Sequence, residues 1–90
     1  MANAKVTKES LLREISYLDK ELSNKYVSKE RVQVIKGLSV EIAKTIDDIY
    51  NTTELLSTYV NDAYSKKESR YDRKIVRRIL KVLSEYLSEL

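Results

Sequence analysis

A chain of 90 residues holds one domain, and this one carries 17 basic against 14 acidic residues with neither His nor Cys. That removes the disulfide framework, the thiolate nucleophile, the imidazole acid/base and the usual zinc ligands together. With no Pro and a single Gly at position 37, the chain lacks the punctuation of a turn-rich β architecture; 42% apolar and 34% charged residues fit helices with charged surfaces.

Residues 1–7 read as a disordered lead-in to a single helical domain over 8–90. Thr7 has the hydroxyl of an N-cap, and Glu9 places negative charge in the first turn. Leu11, Ile15, Leu18 and Leu22 then recur at spacings of four, three and four, with Leu12 and Tyr26 widening the stripe. The spacing predicts a first helix over about 8–25.

Ser28 is the next N-cap candidate, followed by Val32, Ile35 and Leu38 at helical spacing. Gly37 is either the end of a short helix or a residue tolerated inside a longer one at about 1 kcal/mol relative to Ala. The tolerated glycine is the better reading, because no Pro or Asn supports a stop. Beyond it, Ile42, Ile46, Ile49, Thr53, Leu56, Val60 and Ala63 alternate four and three without a slip. One helix over 29–65 is therefore expected. Gly37 and Asn51 are the alternative break points, the latter because Asn51 and Glu54 resemble a capping box.

A polar link from Ser65 leads to a last helix over about 70–90. Val76, Leu80, Leu83, Leu87 and Leu90 form one stripe on it, and Ile75, Ile79, Val82 and Tyr86 a second beside it. Its apolar arc is wider than a coiled-coil seam, so this helix should sit centrally. The expected fold is all-α: a small bundle of three or four amphipathic helices, mainly antiparallel. So small a domain buries little surface alone, so a homo-oligomer is expected, with a dimer favoured and the C-terminal stripe as its core or interface.

Charge is unevenly placed. Lys66, Lys67, Arg70, Arg73, Lys74, Arg77, Arg78 and Lys81 face only Glu68 and Asp72, a local net charge of +6. From Arg70 onward these cations fall three and four apart, on the face opposite Leu83 and Leu87. Such a face can contact phosphates, with Tyr64 and Tyr71 as nearby aromatics to stack on unpaired bases. It can equally meet an acidic protein or an anionic membrane, or remain a solvated surface. A helix-turn-helix around Gly37 is disfavoured, because Lys36 takes an apolar position and Glu41, Asp47 and Asp48 would approach the phosphates. Carboxylates adjacent in sequence, such as Asp47 and Asp48, point about 100° apart on a helix and do not converge on a metal or a proton.

The five tyrosines at positions 17, 26, 50, 59 and 86 are expected at the core edge with wet hydroxyls. No catalytic residue, cofactor site or metal site is expected. No run approaches a membrane span, and Met1 to Lys8 lacks the apolar stretch of a secretory signal, so an intracellular, cytoplasmic location is the expectation. Asn51-Thr52-Thr53 matches a glycosylation acceptor, a match given little weight without such a signal. The sequence thus points to a small non-enzymatic interaction protein, a regulator, inhibitor or assembly component working through protein–protein contacts. The alternative is a nucleic-acid-binding regulator using the basic face.

Overall fold

The structure, a computed structural model, describes residues 7–50, 56–65 and 72–90. Among these it contains four helices: α1 (Lys8–Leu22), α2 (Lys29–Tyr50), α3 (Leu56–Ser65) and α4 (Asp72–Glu89). At 1.5 Å per residue α2 is about 33 Å long, close to the longest molecular dimension of 35 Å. This helix therefore sets the length of the bundle.

Thr7 caps α1. Its hydroxyl accepts the Ser10 N–H at 3.1 Å, and its own N–H donates to the Ser10 hydroxyl at 2.9 Å. This is a capping box with serine in the place of the usual Glu or Gln. The helix stops at Leu22, three residues before the expected Lys25, because local hydrogen bonds take over. Ser23 donates its hydroxyl to the Lys20 carbonyl, and the Asn24 side chain accepts the Tyr26 N–H at 2.9 Å. An Asx turn of this kind competes with helix continuation. Ser28 then caps α2 by accepting the Arg31 N–H at 3.1 Å.

Gly37 lies inside α2, exposed, and the helix runs through it. Of the readings open for 29–65, the structure shows two helices, with the break beside Asn51 and none at Gly37. α2 ends at Tyr50, and the chain folds back so that α3 lies along it. The fold-back is held at one end by Asp47, whose carboxylate accepts the N–H groups of Leu56 at 2.8 Å and Ser57 at 2.9 Å. At the other end Ser39 and Tyr64 share a hydrogen bond between their hydroxyls. A straight helix would keep these partners some nine and twenty-five residues apart along one rod. The Asn51–Glu54 capping box and Thr53 lie outside the described residues.

Among the described residues the buried apolar side chains are all aliphatic. α1 contributes Leu11, Ile15, Leu18 and Leu22; α2 contributes Val32, Ile35, Ile42, Ala43 and Ile46; α3 contributes Val60; α4 contributes Val76, Ile79, Leu80, Leu83 and Leu87. Full burial of each large side chain is worth about 1.5–3 kcal/mol against exposure. α4 touches all three other helices, as its broad apolar arc requires, while α1 and α3 make no contact among the described residues. α4 runs antiparallel to α1: Arg77 meets Asp19, and one turn earlier Arg73 reaches the carbonyl of Asn24.

Three expectations about apolar positions change. Leu90, assigned to the C-terminal stripe, is 52% exposed, one residue past the end of α4. Ile49 is 44% exposed, one residue before the end of α2. Tyr17, Tyr26 and Tyr59 are exposed outright; only Tyr50 and Tyr86 occupy the core edge expected of all five. No helix among the described residues is long and apolar enough to cross a membrane.

Candidate interaction face

The amphipathic geometry of α4 fixes what it leaves outside. Val76, Ile79, Leu80, Leu83 and Leu87 are buried, so residues on the opposite face must point to solvent. Arg73, Lys74, Arg77, Arg78 and Lys81 are all exposed there. Lys66, Lys67, Arg70 and Tyr71 belong to the same predicted basic run and lie outside the described residues.

The row is not uniform. Arg73 and Arg77 lean toward α1. The Arg77 Nε donates to Asp19 Oδ1 at 3.0 Å, and an Arg73 guanidinium N–H donates to the Asn24 carbonyl at 3.4 Å. Lys74, Arg78 and Lys81 recur at four and three, with Glu85 four further on. Between this edge and α1 lies an open groove whose α1 side carries Ser16 and Asp19 and whose floor is Ile15 and Leu80. Both floor residues are almost fully covered, so the groove presents charge and hydroxyl groups far more than apolar surface. The Asp19–Arg77 side chains are 41% and 45% exposed, a setting in which an ion pair contributes little to stability.

Tyr64 has a different role from the one expected of it. It is half-buried against the core with its hydroxyl on Ser39, and the Lys36 ammonium lies 5.0 Å from its ring centroid. The return of α3 onto α2 causes this placement: Tyr64 sits one turn above Val60 and faces α2 beside it. A base would have to displace Lys36 to stack on that ring face.

Sequence reasoning passed over Ser39 and took Asp47, beside Asp48, for solvated helix surface, which its burial corrects. Ser39 is fully buried, and its hydroxyl also reaches the Lys36 carbonyl at 2.7 Å. Asp47, 8% exposed, follows Ala43 by one turn on the buried side of α2. That placement, a carboxylate on the inner side of an apolar stripe, was its only signal. Glu21 and Arg31 join α1 to α2 through two hydrogen bonds, one of them Arg31 Nη2 to Glu21 Oε1 at 3.0 Å. The hydrogen bond from Arg31 holds the Glu21 carboxyl below its ordinary value, with charge attraction adding and desolvation opposing. The same hydrogen bond raises Arg31 further above its own.

Among the described residues no group of three or more acidic side chains is arranged to hold a metal ion. Comparison with protein-family models, with characterised proteins and with solved structures finds no match for this chain. The fold therefore defines the class, an all-α domain with four helices among the described residues, and the functional reading rests on its own surface.

Proposed function

We propose that the protein is a non-enzymatic interaction module, a regulator, inhibitor or assembly component that docks an acidic partner protein on the basic ridge of α4. One observation carries this reading: the central apolar stripe of α4, Val76, Ile79, Leu80, Leu83 and Leu87, is enclosed by the chain's own helices with Ile75, Val82 and Tyr86 half-buried beside it, while five cations from Arg73 to Lys81 stand exposed on its other face. Charge of one sign on a rigid helix steers partners and fixes orientation. A protein partner is favoured over nucleic acid because Asp19 and Glu85 share the groove with the cations. They repel a uniformly anionic phosphate backbone but can pair with basic side chains of a polypeptide. The engagement of Tyr64 with Ser39 and Lys36 points the same way.

Self-association through the C-terminal stripe is not part of this proposal. Val76, Leu80, Leu83 and Leu87 are covered within one chain, so a homodimer needs another face.

Fluorescence anisotropy across a salt series tests the reading, using a labelled acidic peptide and single- and double-stranded oligonucleotides. The expected result is peptide binding that weakens with salt and is lost in K74E/R78E/K81E, with nucleic-acid affinity no tighter than about 100 µM at physiological salt. Oligonucleotide binding well below that limit, with a log–log salt slope of about −3 to −4 from four phosphate contacts, would transfer the function to nucleic acid.

A further inference from the structure

We propose that the α1–α4 groove seats an acidic helical segment about three turns long, and that Asp19 is a built-in competitor that sets the groove's selectivity. The inference rests on the proposed docking function and adds the form of the partner and the way the site discriminates.

The length follows from the ridge. From Lys74 to Glu85 is eleven residue steps, about 16 Å of helix, or three turns. Lys74, Arg78, Lys81 and Glu85 follow the four-three-four spacing that keeps side chains on one stripe. A helix lying in the groove presents its own side chains at the same spacing. Its complement is three carboxylates spaced four and three apart, opposite Lys74, Arg78 and Lys81, and then a base opposite Glu85.

The selectivity follows from Asp19. Its carboxylate already occupies Arg77 at 3.0 Å, inside the groove and half exposed. Exposed ion pairs are weak and exchange readily. The segment's carboxylate opposite Arg78 therefore also draws on the neighbouring Arg77, but against the charge of Asp19. Ligands that bring negative charge and nothing else meet both Asp19 and Glu85. A segment that also brings a base recovers part of that cost at Glu85. The arrangement thus lowers affinity for anions in general more than for a segment of the matching pattern.

The test uses the full chain and two synthetic helical peptides. One carries Glu at three positions spaced four and three with Lys four residues beyond; the other has Gln in place of that Lys. D19N is expected to bind both peptides about three- to tenfold more tightly, as removal of one like charge and release of Arg77 imply. E85Q is expected to weaken binding of the Lys peptide and to leave the Gln peptide unchanged or slightly tighter. Helicity and urea midpoints check that both variants fold, and Asp19→Ser replaces D19N if it does not. Unchanged or weaker binding in a folded Asp19 variant, or an E85Q effect indifferent to the peptide's Lys, overturns the inference. In that case continued loss of binding in K74E/R78E/K81E leaves the docking function standing. If neither peptide binds the unaltered protein, or a single-stranded oligonucleotide of equal charge binds more tightly than the Lys peptide, both fail together.

Discussion

Replacing Asp47 by Ala removes the cap that holds α3 on α2. The carboxylate is 8% exposed and accepts two backbone N–H groups, from Leu56 and Ser57. These are among the N–H groups that the first turn of α3 cannot satisfy internally. Ten residues are too few to hold a helix in water without tertiary support, and Val60 is the only α3 side chain fully enclosed. α3 therefore depends on Asp47 more than a longer helix depends on its cap. Loss of an ordinary N-cap costs about 0.5–2 kcal/mol. Hydrogen bonds to a charged group are worth about 1.5–3 kcal/mol each, partly recovered here by water at a half-open helix end. A cost of about 2–4 kcal/mol results, a large share of the roughly 5–13 kcal/mol ordinary for a chain of this size. The melting temperature should fall by about 10–25 °C. Urea denaturation of D47A and D47N should rank them below the unaltered protein, with D47N closer to it because one acceptor oxygen remains. Hydrogen exchange should speed up first in α3 while the α1–α4 pair keeps its protection. A D47A change under about 0.5 kcal/mol, or loss of protection spread evenly over all four helices, would refute this account of the hairpin.

Gly37→Ala should stabilise by about 0.5–1 kcal/mol, since the added methyl meets nothing within 4 Å; a lower melting temperature would show that the glycine is needed where it stands. Leu83→Ala, in the fully buried part of α4, should cost about 2–5 kcal/mol in urea unfolding without requiring any change in oligomer mass. The Glu21–Arg31 pair gives a pH signature. Glu21 is depressed below its ordinary 4.5, so its contribution is present above that pH and is lost as pH falls through the lower folded value. E21Q should flatten the urea midpoint's dependence on pH in that acidic window and leave its slope near neutrality unchanged.

The helical class, the caps at Thr7 and Ser28 and the central role of α4 were legible because each rests on local chemistry or on a long apolar period. The passage through Gly37 was legible for the same reason. The hairpin after Tyr50 was not. The four-three stripe from Ile42 to Ala63 is equally satisfied by one rod or by two helices folded together, since each segment keeps its own apolar period either way. What decides is long-range: a carboxylate at position 47 finding N–H groups at 56 and 57, and a hydroxyl at 39 finding another at 64. The early end of α1 turned on Asn24, whose side chain offers the backbone a turn that periodicity cannot register. Exposure of the α4 cations could be read from spacing alone, but their division could not. That Arg77 answers to Asp19 while Lys74, Arg78 and Lys81 line the other edge depends on how α1 crosses α4.

Backbone amide chemical-shift mapping, with the Glu-patterned peptide titrated into the labelled protein, tests the central claim most directly. A docking face on the α1–α4 groove predicts shifts that saturate together at Ser16, Asp19, Lys74, Arg78, Lys81 and Ser84, with the buried side of α2 silent. Shifts gathered instead around the exposed Tyr17, Val34 or Tyr59, or scattered without saturation, would contradict it.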